Sequence, residues 1–90
     1  MSQRIIDAAF NVKMGSPAGV IVAVYLAIRA ADDGSVPWIT YGEIGGAAEL
    51  SPATILQAID TLQGRGLLEA ELEDDRARFQ WNMDKIGGAQ

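Results

Sequence analysis

The chain has 90 residues, of which seven are basic and twelve acidic, so its net charge is −5. Hydrophobic residues make up 49% and charged residues 21%, a composition that predicts one folded domain over residues 1–90 and excludes a disordered chain. Cysteine and histidine are both absent, which removes disulfides, thiolate metal sites and the usual general base near neutral pH. We therefore expect no cofactor, no metal, no catalytic residue and no enzymatic activity. Without a signal pattern or a membrane-length apolar run, a cytoplasmic protein with no membrane partner is the expectation.

The amino-terminal third predicts two helices. Ile5, Ile6, Ala9 and Phe10 recur at helical spacing, which predicts a first helix over residues 2–12. The pair Ser16-Pro17 is a good N-cap followed by a good first helical residue, and it predicts a second helix over residues 17–31. That helix is apolar on most sides, which is typical of a buried central helix. We place on its inward face Val20, Val24, Ala27 and Ala31, widened by Ile21, Leu26 and Ile28.

The middle of the chain predicts an edge strand and two further helices. Residues 36–39 are a short apolar run beside a turn. Thr40 and Glu43 have capping-box spacing, so a helix is expected to start at Tyr41 and to carry Ile44, Ala47 and Ala48 inward. Ser51-Pro52 repeats the start signal, and the spacing of Ile55, Ile59 and Leu62 predicts a helix over residues 52–63.

Two alternating segments close the chain. Leu68, Ala70 and Leu72 alternate with glutamates, and Phe79, Trp81 and Met83 alternate with polar residues, which predicts two half-buried strands. Residues 74–76 are the expected hairpin turn, and residues 87–90 a frayed tail. The predicted core comprises Val20, Val24, Ile44, Leu50, Ile55, Ile59, Leu62, Leu68, Leu72 and Phe79.

The order helix, strand, helix, turn, helix, hairpin is typical of a winged helix-turn-helix. The stretch "TYGEIGGAAELSPATILQAIDTLQGRGLLEAELEDDRARFQW" resembles MarR-type regulators and, more closely, the helix-turn-helix domains of phage and plasmid replication initiators. The resemblance extends over residues 16–82. The expected fold class is mainly α with a small β-sheet, with three to four helices and a C-terminal β-hairpin wing.

The resemblance implies that the helix after Ser51 reads double-stranded DNA in the major groove while the wing contacts the backbone. Two copies, as a homodimer, would read a palindromic site in a regulator or replication-associated factor. Gln57 is the strongest base reader, because its amide can pair with adenine through two hydrogen bonds. The DNA-binding residues carried over are Ser51, Ala53, Thr54, Gln57 and Thr61 on the helix, Arg65 after it, and Arg76 and Arg78 on the wing.

A second hypothesis follows from the missing positive charge, since residues 52–63 contain no lysine or arginine. Affinity for DNA comes largely from neutralising phosphates, which an acidic surface opposes. The same scaffold would then bind a host protein and inhibit a nucleic-acid-handling machine. The residues assigned to that surface are Leu56, Asp60, Glu69, Glu71, Glu73, Asp74 and Asp75.

Overall fold

The computed structural model describes residues 3–88, apart from the side chain of Ala48. Within that range the chain is a small mixed α/β domain of five helices and one antiparallel sheet of three strands. The helices and strands are α1 (Gln3–Asn11), α2 (Pro17–Ile28), β1 (Ser35–Thr40), α3 (Tyr41–Ala48), α4 (Pro52–Gly64), β2 (Leu68–Glu73), β3 (Arg76–Trp81) and α5 (Met83–Gly88).

Three of the helices begin at the predicted caps. The hydroxyl of Ser16 accepts a hydrogen bond from the backbone N–H of Gly19 at 3.1 Å, which starts α2. The hydroxyl of Thr40 accepts from the N–H of Glu43 at 3.0 Å, and that of Ser51 accepts from the N–H of Thr54 at 3.3 Å. Each cap satisfies an N–H that has no partner within its own helix, so the predicted starts of α2, α3 and α4 are confirmed.

The sheet has the strand order β1-β3-β2, with the hairpin strand β3 in the centre. Glu73 pairs with Arg76 across the hairpin, so the turn is only Asp74-Asp75 and the predicted inclusion of Arg76 was wrong. Met83, predicted at the end of the last strand, instead begins α5. An irregularity between Val36 and Ile39 lets both side chains face the core, although an odd separation in a regular strand would put them on opposite faces.

The core confirms the predicted burial of Ile44, Ile55, Ile59, Leu62, Leu68 and Phe79. Trp81 is also buried, as the alternation of β3 predicts. Leu72 was wrongly placed inside, because it lies beside the open hairpin turn with 51% of its surface exposed. Val20, Val24 and Leu50 are only half-buried, and Ala47 is exposed on the short helix α3. The predicted inward position of Ala48 concerns a side chain outside the described part of the chain.

The buried face of α2 agrees with the predicted one at Leu26 and Ala27 and differs from it elsewhere, since Ala31 is exposed. Val22, Ala23, Leu26 and Ala27 are completely buried, whereas Ile21 and Ile28 are 46% and 48% exposed. A helix that is apolar on every side carries little information about which side faces the core, so the pattern alone could not fix this choice. The helix also ends at Ile28, earlier than predicted, because Ala31 pairs with Ser35 in the following turn.

The two terminal helices pack against each other and close the core. Ile5 on α1 is completely buried and Ile86 on α5 is nearly so. The prediction allowed three to four helices and missed α5. Gly87 and Gly88, which were predicted to be frayed, lie in α5. The rest of that tail, Ala89 and Gln90, lies outside the described residues. Ser2, at the predicted start of the first helix, lies outside them too.

The helices of residues 3–88 include none with the length and hydrophobicity that crossing a membrane requires.

Candidate nucleic-acid interface

Helix α4 has one buried face and one open face. Its buried face comprises Ile55, Ala58, Ile59 and Leu62, which pack against α2, α3 and β2. The side chains on the open face are exposed to solvent, and they are those of Ala53, Leu56, Gln57 and Asp60. The three residues between α3 and α4, numbered 49–51, hold the two helices together as a compact pair. This places the amino-terminal half of α4 at the surface, available to a partner.

The five predicted readers on α4 are not equally free. The hydroxyls of Ser51 and Thr54 lie 3.0 Å apart and bond each other at the start of the helix. The hydroxyl of Thr61 donates to the backbone carbonyl of Gln57 at 3.1 Å. Ala53 and Gln57 are exposed, and the structure records no hydrogen bond for the amide group of Gln57 among residues 3–88. Among the predicted readers on α4, Gln57 is therefore the one whose polar side chain is exposed and makes no hydrogen bond within the described residues.

Three of these residues share a shallow cleft with the start of α2. Thr54, Gln57 and Thr61 line it on one side, and the segment 14–16 and Gly19 line it on the other. The cleft has a volume of about 180 Å³. It brings the predicted readers together around Gln57, but no basic side chain lies among its lining residues.

The two hairpin arginines are each paired with a glutamate on the outer face of the sheet. Arg78 makes a two-pronged contact with Glu71, with Nε 2.7 Å and one terminal nitrogen 3.1 Å from the two carboxylate oxygens. Arg76 donates from Nε and a terminal nitrogen to one oxygen of Glu73, at 3.2 and 2.8 Å. Both pairs are direct cross-strand neighbours in the β2–β3 register. The arginine charges are therefore compensated locally.

Trp38 lies beneath both arginines. The guanidinium carbon of Arg76 is 4.5 Å from the centre of the Trp38 ring, and that of Arg78 is 5.1 Å away. A cation over a tryptophan face is attracted by the negative charge density of the ring. The hydrogen bond and the charge of Glu73 also raise the pKa of Arg76 above its ordinary value. The position of Trp38 depends on the irregularity between Val36 and Ile39 in β1.

The remaining predicted cation lies at the opposite end of the hairpin. Arg65 follows α4, and its backbone carbonyl accepts a hydrogen bond from Nζ of Lys85 at 2.9 Å. The six-residue strand β2 separates this region from the Asp74-Asp75 turn, a span of about 17 Å at the usual rise per residue. Arg65 therefore lies beside Lys85, and Arg76 lies near Arg78. The length of β2 separates the first pair of cations from the second. Lys85 was missed because α5 gave no clear signal in the sequence.

The residues assigned to the protein-binding alternative are also at the surface. Leu56 is 39% exposed, and Asp60 lies one turn further along the open face of α4. Glu69, Glu71 and Glu73 point outward along β2, and Asp74 and Asp75 form the turn. Glu71 and Glu73 are occupied by the two arginines, which leaves Glu69, Asp74 and Asp75 as the exposed acids of the hairpin without a salt bridge among the described residues.

Within residues 3–88, no group of three or more acidic side chains has the proximity that a metal site needs. Comparison of the chain with protein-family models, with curated proteins and with solved structures gives no match.

Proposed function

We propose that this chain is a DNA-binding protein of the winged helix-turn-helix type. Helix α4 enters the major groove, the β2–β3 hairpin acts as the wing on the phosphate backbone, and two copies read a palindromic site. Its role is that of a transcriptional regulator or a replication-associated factor.

The observation that carries the proposal is the placement of α4. A helix pair joined by a three-residue turn, with the second helix exposing its amino-terminal half, is the arrangement that docks in a major groove. The hairpin that follows α4 pairs with β1 in the order β1-β3-β2, which supports its use as a wing. A fold alone does not specify a function, so the proposal depends on this exposed surface.

Individual residues take distinct roles in the proposal. Gln57 contacts a base edge, since its amide is exposed and can pair with adenine. Arg76 and Arg78 contact phosphates by exchanging Glu73 and Glu71 for the nucleic acid, because an arginine fork fits a phosphate as well as a carboxylate. Arg65 contacts the backbone at the other end of the helix.

A mobility-shift assay with duplex DNA at about 50 mM salt tests the proposal, since low salt favours every phosphate contact. Arg76→Ala and Arg78→Ala should each weaken binding to all sequences and reduce the salt slope by about one unit. Arg4→Ala is the matched control, because it removes the same charge from α1, which packs against α2 and α5. Gln57→Ala should cost about 1–3 kcal/mol at one base pair only.

Absence of a shift at micromolar protein would overturn the proposal. Equal weakening by Arg4→Ala and the two hairpin variants would argue that binding depends on overall charge and not on the wing.

A second candidate is favoured by the pairing of the hairpin arginines. Glu73 and Glu71 compensate the charges of Arg76 and Arg78, so the hairpin presents little net positive charge. The open face of α4 instead presents the exposed Leu56, with Asp60 one turn away. This surface suits a host protein with an apolar pocket beside a basic side chain. The candidate predicts a protein partner whose binding is lost with Leu56→Asp and kept with Leu72→Asp, since Leu72 is an exposed leucine outside α4. Loss of binding with both variants would contradict it.

A further inference from the structure

One face of α2 presents an apolar surface that residues 3–88 leave uncovered. Phe10 is 63% exposed, and Ile21 and Ile28 are each about half exposed. With the half-buried Val24 and Tyr25 they line a groove whose exposed surface is apolar. Isolated exposed apolar residues are common, whereas a contiguous apolar group such as this one, from α1 and α2, is a candidate interaction site.

The spacing of the group fits another helix. Ile21, Val24 and Ile28 are separated by three and four residues, so they form one stripe along α2. This is the a-d-a spacing by which helices pack side by side. The opposite face of α2 packs against the core, and the other residues of the range 3–88 leave the stripe exposed.

We propose that this surface, Phe10 with the Ile21–Val24–Ile28 stripe, binds a second copy of the chain across a two-fold axis with the two α2 helices antiparallel. With the axis near Val24, Ile21 of one copy packs against Ile28 of the other. The same stripe is used on both sides, as an interface with two-fold symmetry requires.

The charges at the two ends of α2 favour the antiparallel arrangement. Lys13 is exposed just before the helix, and Asp32 and Asp33 are exposed just after it. Antiparallel packing brings the basic end of each helix, with its positive dipole, to the acidic end of the other. Arg29 also lies at the acidic end and bonds the neutral hydroxyl of Tyr25 at 2.9 Å, so with Asp32 and Asp33 that end carries two negative charges and one positive charge.

The area available is consistent with a dimer of modest affinity. The exposed surface of Phe10, Ile21 and Ile28 is on the order of 300 Å² per copy, since a large apolar side chain has a surface of about 150–250 Å². Two copies would bury about 600 Å² through these side chains, so flanking residues must supply the rest of the roughly 1,000 Å² that a specific interface needs. The inference deepens the proposed function and rests on it for its purpose, because a palindromic site requires two copies.

Sedimentation equilibrium of the full chain at tens of micromolar tests the surface. The unchanged protein should have the mass of two chains, and Ile21→Glu or Ile28→Glu should raise the dissociation constant at least about tenfold, because a carboxylate would be buried without a partner. Leu72→Glu is the matched control, since Leu72 is equally exposed but lies on β2. Circular dichroism should give the same helix content for all variants. A monomeric unchanged protein, or dimeric Ile21→Glu and Ile28→Glu variants, would overturn the proposal.

Cross-linking tests the two-fold axis independently. The chain has no cysteine, so a Val24→Cys variant under an added oxidant should give a covalent dimer. A Leu72→Cys variant should remain a single chain under the same conditions. Equal cross-linking of the two variants would contradict the interface.

The outcomes separate this inference from DNA binding. A protein that dimerises through α2 without shifting any duplex leaves the interface standing and overturns the proposed function. A monomer that shifts a duplex overturns the interface and the two-copy reading of a palindromic site, and leaves standing the DNA contacts proposed for α4 and the hairpin.

Discussion

Glu49 ends α3 in a backbone conformation that favours glycine. Its φ is 57° and its ψ is 42°, in the left-handed region, and its backbone N–H bonds the carbonyl of Gly45. A side chain in this region is crowded by its own backbone, whereas glycine adopts it freely. The position is exposed, so little else restricts the choice of residue.

We therefore expect Glu49→Gly to raise the free energy of unfolding by about 1 kcal/mol in urea denaturation. Glu49→Ala is the control, because it removes the carboxylate and keeps the Cβ atom that causes the crowding. A gain of the same size in Glu49→Ala would show that the charge, and not the backbone conformation, limits stability.

Ile59 is the residue that tests the phase of α4. It is buried against the core, so Ile59→Ala should lower the free energy of unfolding by about 2–5 kcal/mol. Leu72→Ala should cost less than about 1 kcal/mol, because Leu72 is exposed. Equal costs in chemical denaturation would mean that α4 presents a different face to the core.

At the scale of elements, the hairpin holds two arginines between acidic partners and an aromatic ring. Each guanidinium contacts one glutamate across the β2–β3 ladder and also the face of Trp38. The pairs are exposed, so their contribution to stability is small and their main effect is on the charge that the hairpin presents. Glu71 and Glu73 thereby compete with any phosphate for the same arginines.

If the hairpin contacts DNA, Glu71→Gln and Glu73→Gln should each tighten binding several-fold at about 50 mM salt, since each removes one competing negative charge. Asp7→Asn on α1 is the control, because it changes the net charge equally and leaves the hairpin untouched. The mobility-shift assay measures all three. Binding no tighter than that of Asp7→Asn would show that the hairpin arginines do not meet phosphate.

At the scale of the molecule, the net negative charge opposes association with DNA and with a second copy of the chain. A chain with net charge −5 repels both DNA and its own copies, so contacts must come from local surfaces. The apolar face of α2 is such a surface. If two copies associate there, the melting temperature should rise with protein concentration, because association stabilises the folded state by mass action.

Calorimetry at several concentrations checks this, with Ile21→Glu as the variant whose melting temperature should not depend on concentration. A concentration-independent melting temperature in the unchanged protein would contradict self-association.

Local chemistry in the sequence determined where α2, α3 and α4 begin and which residues of β3 face inward. The cap formed by Ser51 and Pro52 depends on contacts among four consecutive residues, and the alternation that buries Phe79 and Trp81 is visible over three. Both signals can therefore be recognised without knowing how the rest of the chain packs. The starts of α2, α3 and α4 and the inward side of β3 were therefore predictable. Of the candidate site, the exposure of Gln57 followed from the same periodicity.

Tertiary structure alone decided the features that depend on distant segments. The buried side of α2 was set by where α1 and α4 pack, because the helix itself is apolar all round. The place of Trp38 beside Arg76 and Arg78 was set by the pairing of β1 with β3 and by the irregularity in β1. The packing of α2 and the place of Trp38 both join residues far apart in the chain, so no local pattern specifies them.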